Sequence, residues 1–355
     1  MEPEYLENLL APLPFPVTFV CRDRKRWSDL FAASESSIPH PDEIYDRIIG
    51  NQDCWIVLTY LHLKRRGLNV YLSDFFLPGK ICVATSLDFG IKDRTFSSFV
   101  VGCRSDGPQP TLCDLAIVQN QVNVESETDF FIPHWCQPGL IPRNQSRGNR
   151  IENIVFKGSE SNLYEAFRSQ EFMGELEQLG VKFKIHSFQE NQPLKWHDYS
   201  DADLVLAVRD LTEKDALVKP ASKLVNAWIA GVPALLGPEP AFQQIMRSQL
   251  DYFEVKTPQD ALNVIQKLKA NPNLYQQIII NGQKRAEEYS VDNVAQKWQN
   301  VLATSVPQSY IRWSKSNQLS KISTFILRAF QQKIAVARAD YHRTHGYRPV
   351  SNRMT

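Results

Sequence analysis

The segment Lys219-Pro220-Ala221-Ser222-Lys223-Leu224-Val225-Asn226-Ala227-Trp228-Ile229-Ala230-Gly231-Val232-Pro233 places two polar residues, Ser222 and Lys223, at the head of a short apolar run. A proline near the start and Gly-x-Pro after the end are the punctuation of a helix. The first N–H groups of a helix lack partners within it and carry partial positive charge, so a phosphate fits there. Lys223 would add a full charge, and Ser222 would cap the helix or donate to a phosphate oxygen. The plainer alternative is a cap and a solvated lysine. Two further places offer related chemistry. Phe156-Lys157-Gly158-Ser159 closes an apolar run, and a glycine there lets backbone approach a phosphate, although a simple turn uses one too. Ala207-Val208-Arg209-Asp210 ends another run, where the planar fork of Arg209 suits a diphosphate or an ion pair with an acid.

The elements around these residues alternate. IENIVF (151–156), VKFKIH (181–186), ADLVLAV (202–208), PALLG (233–237) and YFEV (252–255) read as strands, and ADLVLAV is apolar enough to be buried on both faces. Helices are predicted over 161–179, 224–230, 240–249, 271–288 and 291–304. Another starts at Thr257-Pro258-Gln259-Asp260, with a cap, a proline at the first position and an acid in the first turn. This order predicts a parallel sheet covered by helices, with ligands beyond the carboxyl ends of the strands. In the first half, strands are predicted at 16–21, 68–73, 80–86, 98–103 and 113–121, and a helix over 52–66 ending at Gly67. Residues 132–150 hold three prolines and two glycines and read as a linker. The expected parts are 1–140, 141–305 and a basic helical segment, 306–355, packing on the first domain. Two linked α/β units also predict a cleft between them as the binding place.

Residues 219–241 (KPASKLVNAWIAGVPALLGPEPA) resemble the donor-nucleotide segment of GT-B glycosyltransferases, and most nearly the retaining enzymes of family 4. The likeness is good over residues 150–290 and topological over 1–130. It implies two Rossmann-like α/β domains facing each other across a cleft, with C-terminal helices crossing back. It implies that Lys223 and nearby amides hold the diphosphate of a nucleotide sugar. Ser222, Leu224, Asn226, Gly158, Ser159 and Glu239 would line the donor site, and Arg209 would assist at the phosphates. The family often carries two glutamates eight residues apart, the second binding ribose; Val218 and Asn226 hold those places here. The implied reaction is metal-independent transfer to a sugar, lipid or glycan acceptor, with Lys223, Arg209 and the helix start at 222–224 stabilising the leaving diphosphate. A non-catalytic GT-B-like binding or assembly protein and a sugar-nucleotide epimerase are the alternatives.

An acceptor would bind the first domain. Asp106, Asp88 and His134 are the candidates for a base, each in a predicted loop where a turn or cap role is the plain alternative. No cofactor or metal is expected: no Asp-x-Asp is read as a metal carrier, and H-x-x-x-H, G-x-S-x-G and Walker A patterns do not occur. The first half has no G-x-G-x-x-G, which disfavours a nicotinamide dehydrogenase. The six cysteines form no C-x-x-C pair and read as buried thiols in a reducing compartment.

Over 355 residues, 43% hydrophobic and 22% charged describe a folded chain, neither disordered nor a membrane bundle. The start, Met1 to Glu4, is unlike a signal peptide, and no apolar run of about 18 residues occurs. A cytoplasmic place is expected. The net charge of +1 argues against nucleic acid as partner, but residues 311–355 hold nine Lys/Arg and one acid. Within that +8 tail, residues 320–339 predict an amphipathic helix with Ile322, Phe325, Ile326, Phe330, Ile334 and Val336 on one side and Lys321, Arg328, Lys333 and Arg338 on the other. It either packs on the first domain or adsorbs peripherally to an anionic membrane or an acidic partner.

Overall fold

The computed structural model describes residues 7–34, 37–187 and 195–354. The acidic start, Met1 to Glu4, lies outside them. The chain divides into two compact units. The first holds residues 1–135 and 291–341, the second 136–290 and 342–355. The segment 306–355 is thus shared between them.

In the first unit, β1 (Val17–Val20), α1 (Ser28–Ala32), α2 (Leu58–Arg65), β2 (Val70–Ser73), β3 (Ile81–Thr85), β4 (Phe99–Cys103), β5 (Leu115–Val118) and β6 (Asp129–Phe131) follow in order. Every strand pairs in parallel, in the order β2-β1-β3-β4-β5-β6. The expected helix over 52–66 begins as a π-turn, Asp53–Val57, before it becomes α2, and Gly67 ends it at φ +82°. β6 carries no sequence signal, because three residues that begin with an acid are too short to show a period.

In the second unit come β7 (Asn153–Lys157), α3 (Gln170–Gln178), β8 (Lys182–His186), β9 (Leu204–Ala207), α4 (Glu213–Leu217), α5 (Ser222–Ala230), β10 (Ala234–Leu236), α6 (Pro240–Ile245), β11 (Phe253–Glu254), α7 (Pro258–Ala270) and α8 (Pro272–Ala286). The sheet is again parallel, in the order β8-β7-β9-β10-β11. Thr257 makes the predicted cap: its hydroxyl accepts from the Asp260 amide and the Asp260 carboxylate from the Thr257 amide. The helix expected over 161–179 is only α3. The Tyr164 amide is drawn to the Val208 carbonyl, 2.9 Å away, and Ser169 then caps a new start by accepting from the Phe172 amide.

The chain then returns to the first unit. α9 (Val291–Ala303) buries Val294, Ala295, Trp298 and Leu302 in that unit's core, with Trp298 6.2 Å from Phe19. α10 (Ser305–Lys315) and α11 (Gln318–His345) follow, and then a short antiparallel hairpin, β12 (Tyr347–Arg348) and β13 (Arg353–Met354). The architecture is two α/β units, each built on a parallel, Rossmann-like sheet, with helices that cross back to the first.

Candidate functional site

In the second unit the chain leaves β7 toward β8 on one side and returns to β9 on the other. The order therefore reverses between β7 and β9, and their carboxyl ends form the switch point where open α/β sheets bind ligands. The segments that leave those two ends are Gly158-Ser159 and Val208-Arg209-Asp210.

Gly158 stands at φ +149°, a conformation that other residues avoid. Its amide donates to the His186 carbonyl at 3.2 Å. A Cβ on Gly158 would lie 3.0 Å from the Lys223 ammonium. That ammonium donates to the Lys157 carbonyl and lies 5.2 Å from the centre of the Phe156 ring. The structure thus brings Gly158 and Lys223 together, at the head of α5. Ser159 is exposed beside them, its hydroxyl 2.8 Å from that of Ser161.

Other predicted donor residues are placed differently. Ser222 does not cap α5: the helix opens at Ala221, whose carbonyl already accepts from Leu224 and Val225. Leu224 has its side chain wholly in the core and its amide on Ala221, so it offers a donor nothing. Asn226 accepts from the Gln137 amide at 3.0 Å, which ties down the segment that enters this unit. Arg209 is gripped bidentately by Glu239, with one bond at 2.8 Å from Nε, and both side chains are nearly buried. Neighbouring Asp210 instead meets Arg353 at 2.8 Å and Arg348, from the C-terminal hairpin.

Sequence reasoning missed Lys157. Its backbone holds Lys223, but its side chain turns into the unit and donates to the carbonyls of Lys195, at 2.8 Å, and Asp198. Its ammonium also lies 2.7 Å from His186 Nδ1. Burial lowers the Lys157 pKa to about 8, and burial followed by the charge of Lys157 lowers that of His186 to about 4. At neutral pH Lys157 is the donor and His186 the acceptor. The available signal was a lysine ending an otherwise buried strand.

An Asp-x-Asp does occur, Asp201-Ala202-Asp203, at the entry to β9 rather than its exit. Asp201 pairs with Lys184 and Asp203 with two arginines. Among the described residues no cluster of His, Cys, Asp and Glu could hold a metal ion.

In the first unit all three acceptor-side candidates follow the carboxyl ends of strands. Asp88 closes the turn after β3, accepting from the Thr85 hydroxyl and donating its amide to the Thr85 carbonyl. Asp106 is exposed in the tight turn after β4, where Ser105 has φ +55°. His134 follows β6, edge-on to Trp55 at 5.3 Å, with Nδ1 2.7 Å from the Trp135 carbonyl. Burial lowers its pKa, more than the Trp135 bond and the nearby Asp106 charge raise it. Because a carbonyl can only accept, Nδ1 carries the proton and Nε2 is the basic nitrogen. Trp135 itself is core, stacked on His62 at 4.3 Å.

No family model matches the chain, and no curated protein does. Solved structures do. Sucrose-phosphate synthase from Thermosynechococcus elongatus aligns at a TM-score of 0.53 and 10% identity, over 81% of this chain and 98% of that one. HepE from Anabaena, in complex with UDP-glucose, aligns at 0.48 and 11%, over 82% and 100%. TarM aligns at 0.44 and 13% over 63% of this chain, which spans 55% of TarM's length. The fold assignment rests on the first of these: the chain has the two-sheet α/β architecture of the GT-B glycosyltransferases.

Proposed function

We propose that the chain is a glycosyltransferase that moves a sugar from a nucleotide sugar to a sugar, lipid or glycan acceptor. The observation that carries this reading is the convergence of Gly158 and Lys223 beside the switch point of the second sheet, at the N-terminus of α5. Breaking the sugar–phosphate bond builds negative charge on the leaving diphosphate. Lys223 and the first turn of α5 meet that charge, and Glu239 fixes the direction of Arg209 while sharing its charge. The positive charge then comes from the protein, and no divalent metal is invoked. The reaction would run in the cytoplasm, which suits six unbridged thiols; burial pushes Cys82 up to about 11 and Cys21, Cys54 and Cys113 up to about 12, so they stay neutral. Calorimetry with UDP, GDP and ADP, followed by turnover of the matching nucleotide sugars, tests the reading. Binding of none of the three would overturn it.

On the acceptor side the geometry favours His134 as the base over Asp106 and Asp88, since Nε2 is left unprotonated and burial keeps the ring neutral at pH 7. His134→Gln should lower kcat by about 10²–10⁴-fold. A neutral ring is needed, so wild-type activity should fall as pH drops below the ordinary histidine value, and the variant should lose that limb. An unchanged pH profile would mean that the acceptor is not deprotonated there.

One set of observations favours a non-catalytic binding protein instead: Asn226 is engaged by Gln137 and Arg209 by Glu239. Release of nucleoside diphosphate from any donor–acceptor pair rules it out, and conversion of donor alone to an isomer would identify an epimerase.

A further inference from the structure

α11 is 28 residues long and buries none of them. Its two sides are unlike. At positions 321, 325, 328 and 332, spaced as one helical face, the side chains lie against the first unit. Lys321 sits 3.6 Å over Trp313, Phe325 meets Phe96 edge-on at 5.4 Å, and Arg328 donates to Asp114 at 2.7 Å. Gln332 accepts from the Thr111 hydroxyl at 2.7 Å. Roughly half a turn away, the row Leu319, Ile326, Leu327, Phe330, Ile334 and Tyr341 faces outward, with Phe330 63% and Ile326 62% exposed. This inverts the sequence expectation: two of the cations assigned to the polar side dock the helix, and much of the apolar side is left in water. Exposed Lys333 and Arg338 flank the row on either edge.

An apolar row of this length on one helix marks an interaction surface. From 319 to 341 it runs about 33 Å and is about 10 Å wide, on the order of 330 Å². A stable protein interface needs about 800 Å² per partner. A second copy would also bring Lys333 and Arg338 of one helix against those of the other. A flat anionic surface meets both demands, since it accepts a single helix face and is complementary to the flanking cations. Among the described residues no helix is long and apolar enough to cross a membrane, so α11 would lie on the surface.

We propose that the outward face of α11 docks the protein on an anionic lipid bilayer, with Ile326, Phe330 and Ile334 entering the headgroup–acyl boundary and Lys333 and Arg338 pairing with lipid phosphates. This goes beyond the transferase reading and does not depend on it. The test is co-sedimentation of the full chain with phosphatidylcholine vesicles, with and without phosphatidylglycerol. Wild type should bind only the anionic vesicles, and salt should weaken the binding. Ile326→Glu/Phe330→Glu/Ile334→Glu should abolish it with an unchanged melting temperature, because all three side chains are exposed. Lys333→Gln/Arg338→Gln should weaken it by about 25-fold, at roughly fivefold per cation. Wild type remaining in the supernatant, or equal binding by the triple variant, would overturn the proposal. So would a dimer in sedimentation velocity that the triple variant dissociates, which would make the occupant a second copy. Transfer to a soluble acceptor, measured alongside, should be the same in wild type and the triple variant.

Discussion

Lys223→Ala should raise the dissociation constant for nucleoside diphosphates by about 10- to 100-fold, the equivalent of one lost charge-assisted hydrogen bond. The fold should survive. Lys223 is only partly buried, and its contacts include a bond to the Lys157 carbonyl and a place near the Phe156 ring. The rate effect should exceed the binding effect. Charge on the diphosphate grows as the glycosidic bond breaks, so kcat/KM should fall by about 10²–10³-fold, with the excess over the binding loss appearing in kcat. Gly158→Ala provides a second route to the same site. Alanine at φ +149° is strained, at about 1–3 kcal/mol, and its Cβ would lie 3.0 Å from the Lys223 ammonium. The lysine is the flexible partner and would move, so nucleotide affinity should drop although the charge is still present. Calorimetry on the two variants decides: equal affinity in wild type and Lys223→Ala removes the phosphate site from the head of α5.

How far the sequence reaches is clearest at this site. The strands that carry it are apolar throughout because a parallel sheet is covered on both faces, and that pattern is visible residue by residue. Gly158 and Lys223 were legible for the same reason, since each follows from punctuation next to an apolar run. What stays hidden is pairing between distant positions. Nothing within Val208-Arg209-Asp210 says that Arg209 will choose Glu239, thirty residues on, over its neighbour Asp210, or that Asp210 will meet Arg353 at the end of the chain. Strand order is hidden likewise, and with it the switch point between β7 and β9. Periodicity showed that residues 320–339 form an amphipathic helix. It could not show which face docks, because that depends on Asp114, Thr111 and Phe96 in the partner surface.

The largest expected loss of stability is at Asp203, at the amino end of the strand whose other end carries Arg209. Its side chain has no exposure. It accepts from Arg143 at 2.7 and 3.1 Å, from Arg147 at 2.7 and 2.8 Å, and from the amides of Glu152 and Asn153 at 2.9 Å. The sequence expectation for this region was a linker, yet its Arg143 and Arg147 are what neutralise a carboxylate buried in the second unit. Burial acts to raise the Asp203 pKa, but Arg147, the backbone amides and Arg143 outweigh it and hold it below the usual carboxylate range. Asp203→Asn keeps the shape but leaves Arg143, itself nearly buried, without its counter-charge. Removing one partner from such a group costs about 3–5 kcal/mol, or about 10 °C in the melting temperature of a unit this size. Asp201→Ala, two residues away and half-exposed, should change stability by no more than about 0.5 kcal/mol. The pH dependence follows from the sign of the shift. A depressed carboxylate stabilises the fold fully above its ordinary value of 3.8, and that contribution is lost as pH falls through the lower folded value. Wild type should therefore lose stability steeply below pH 3.8, and Asp203→Asn, already lacking the contribution, should show a shallower acid limb. Parallel acid limbs, or a melting temperature within about 2 °C of wild type, would mean that the two arginines find other partners and that β9 does not depend on this carboxylate.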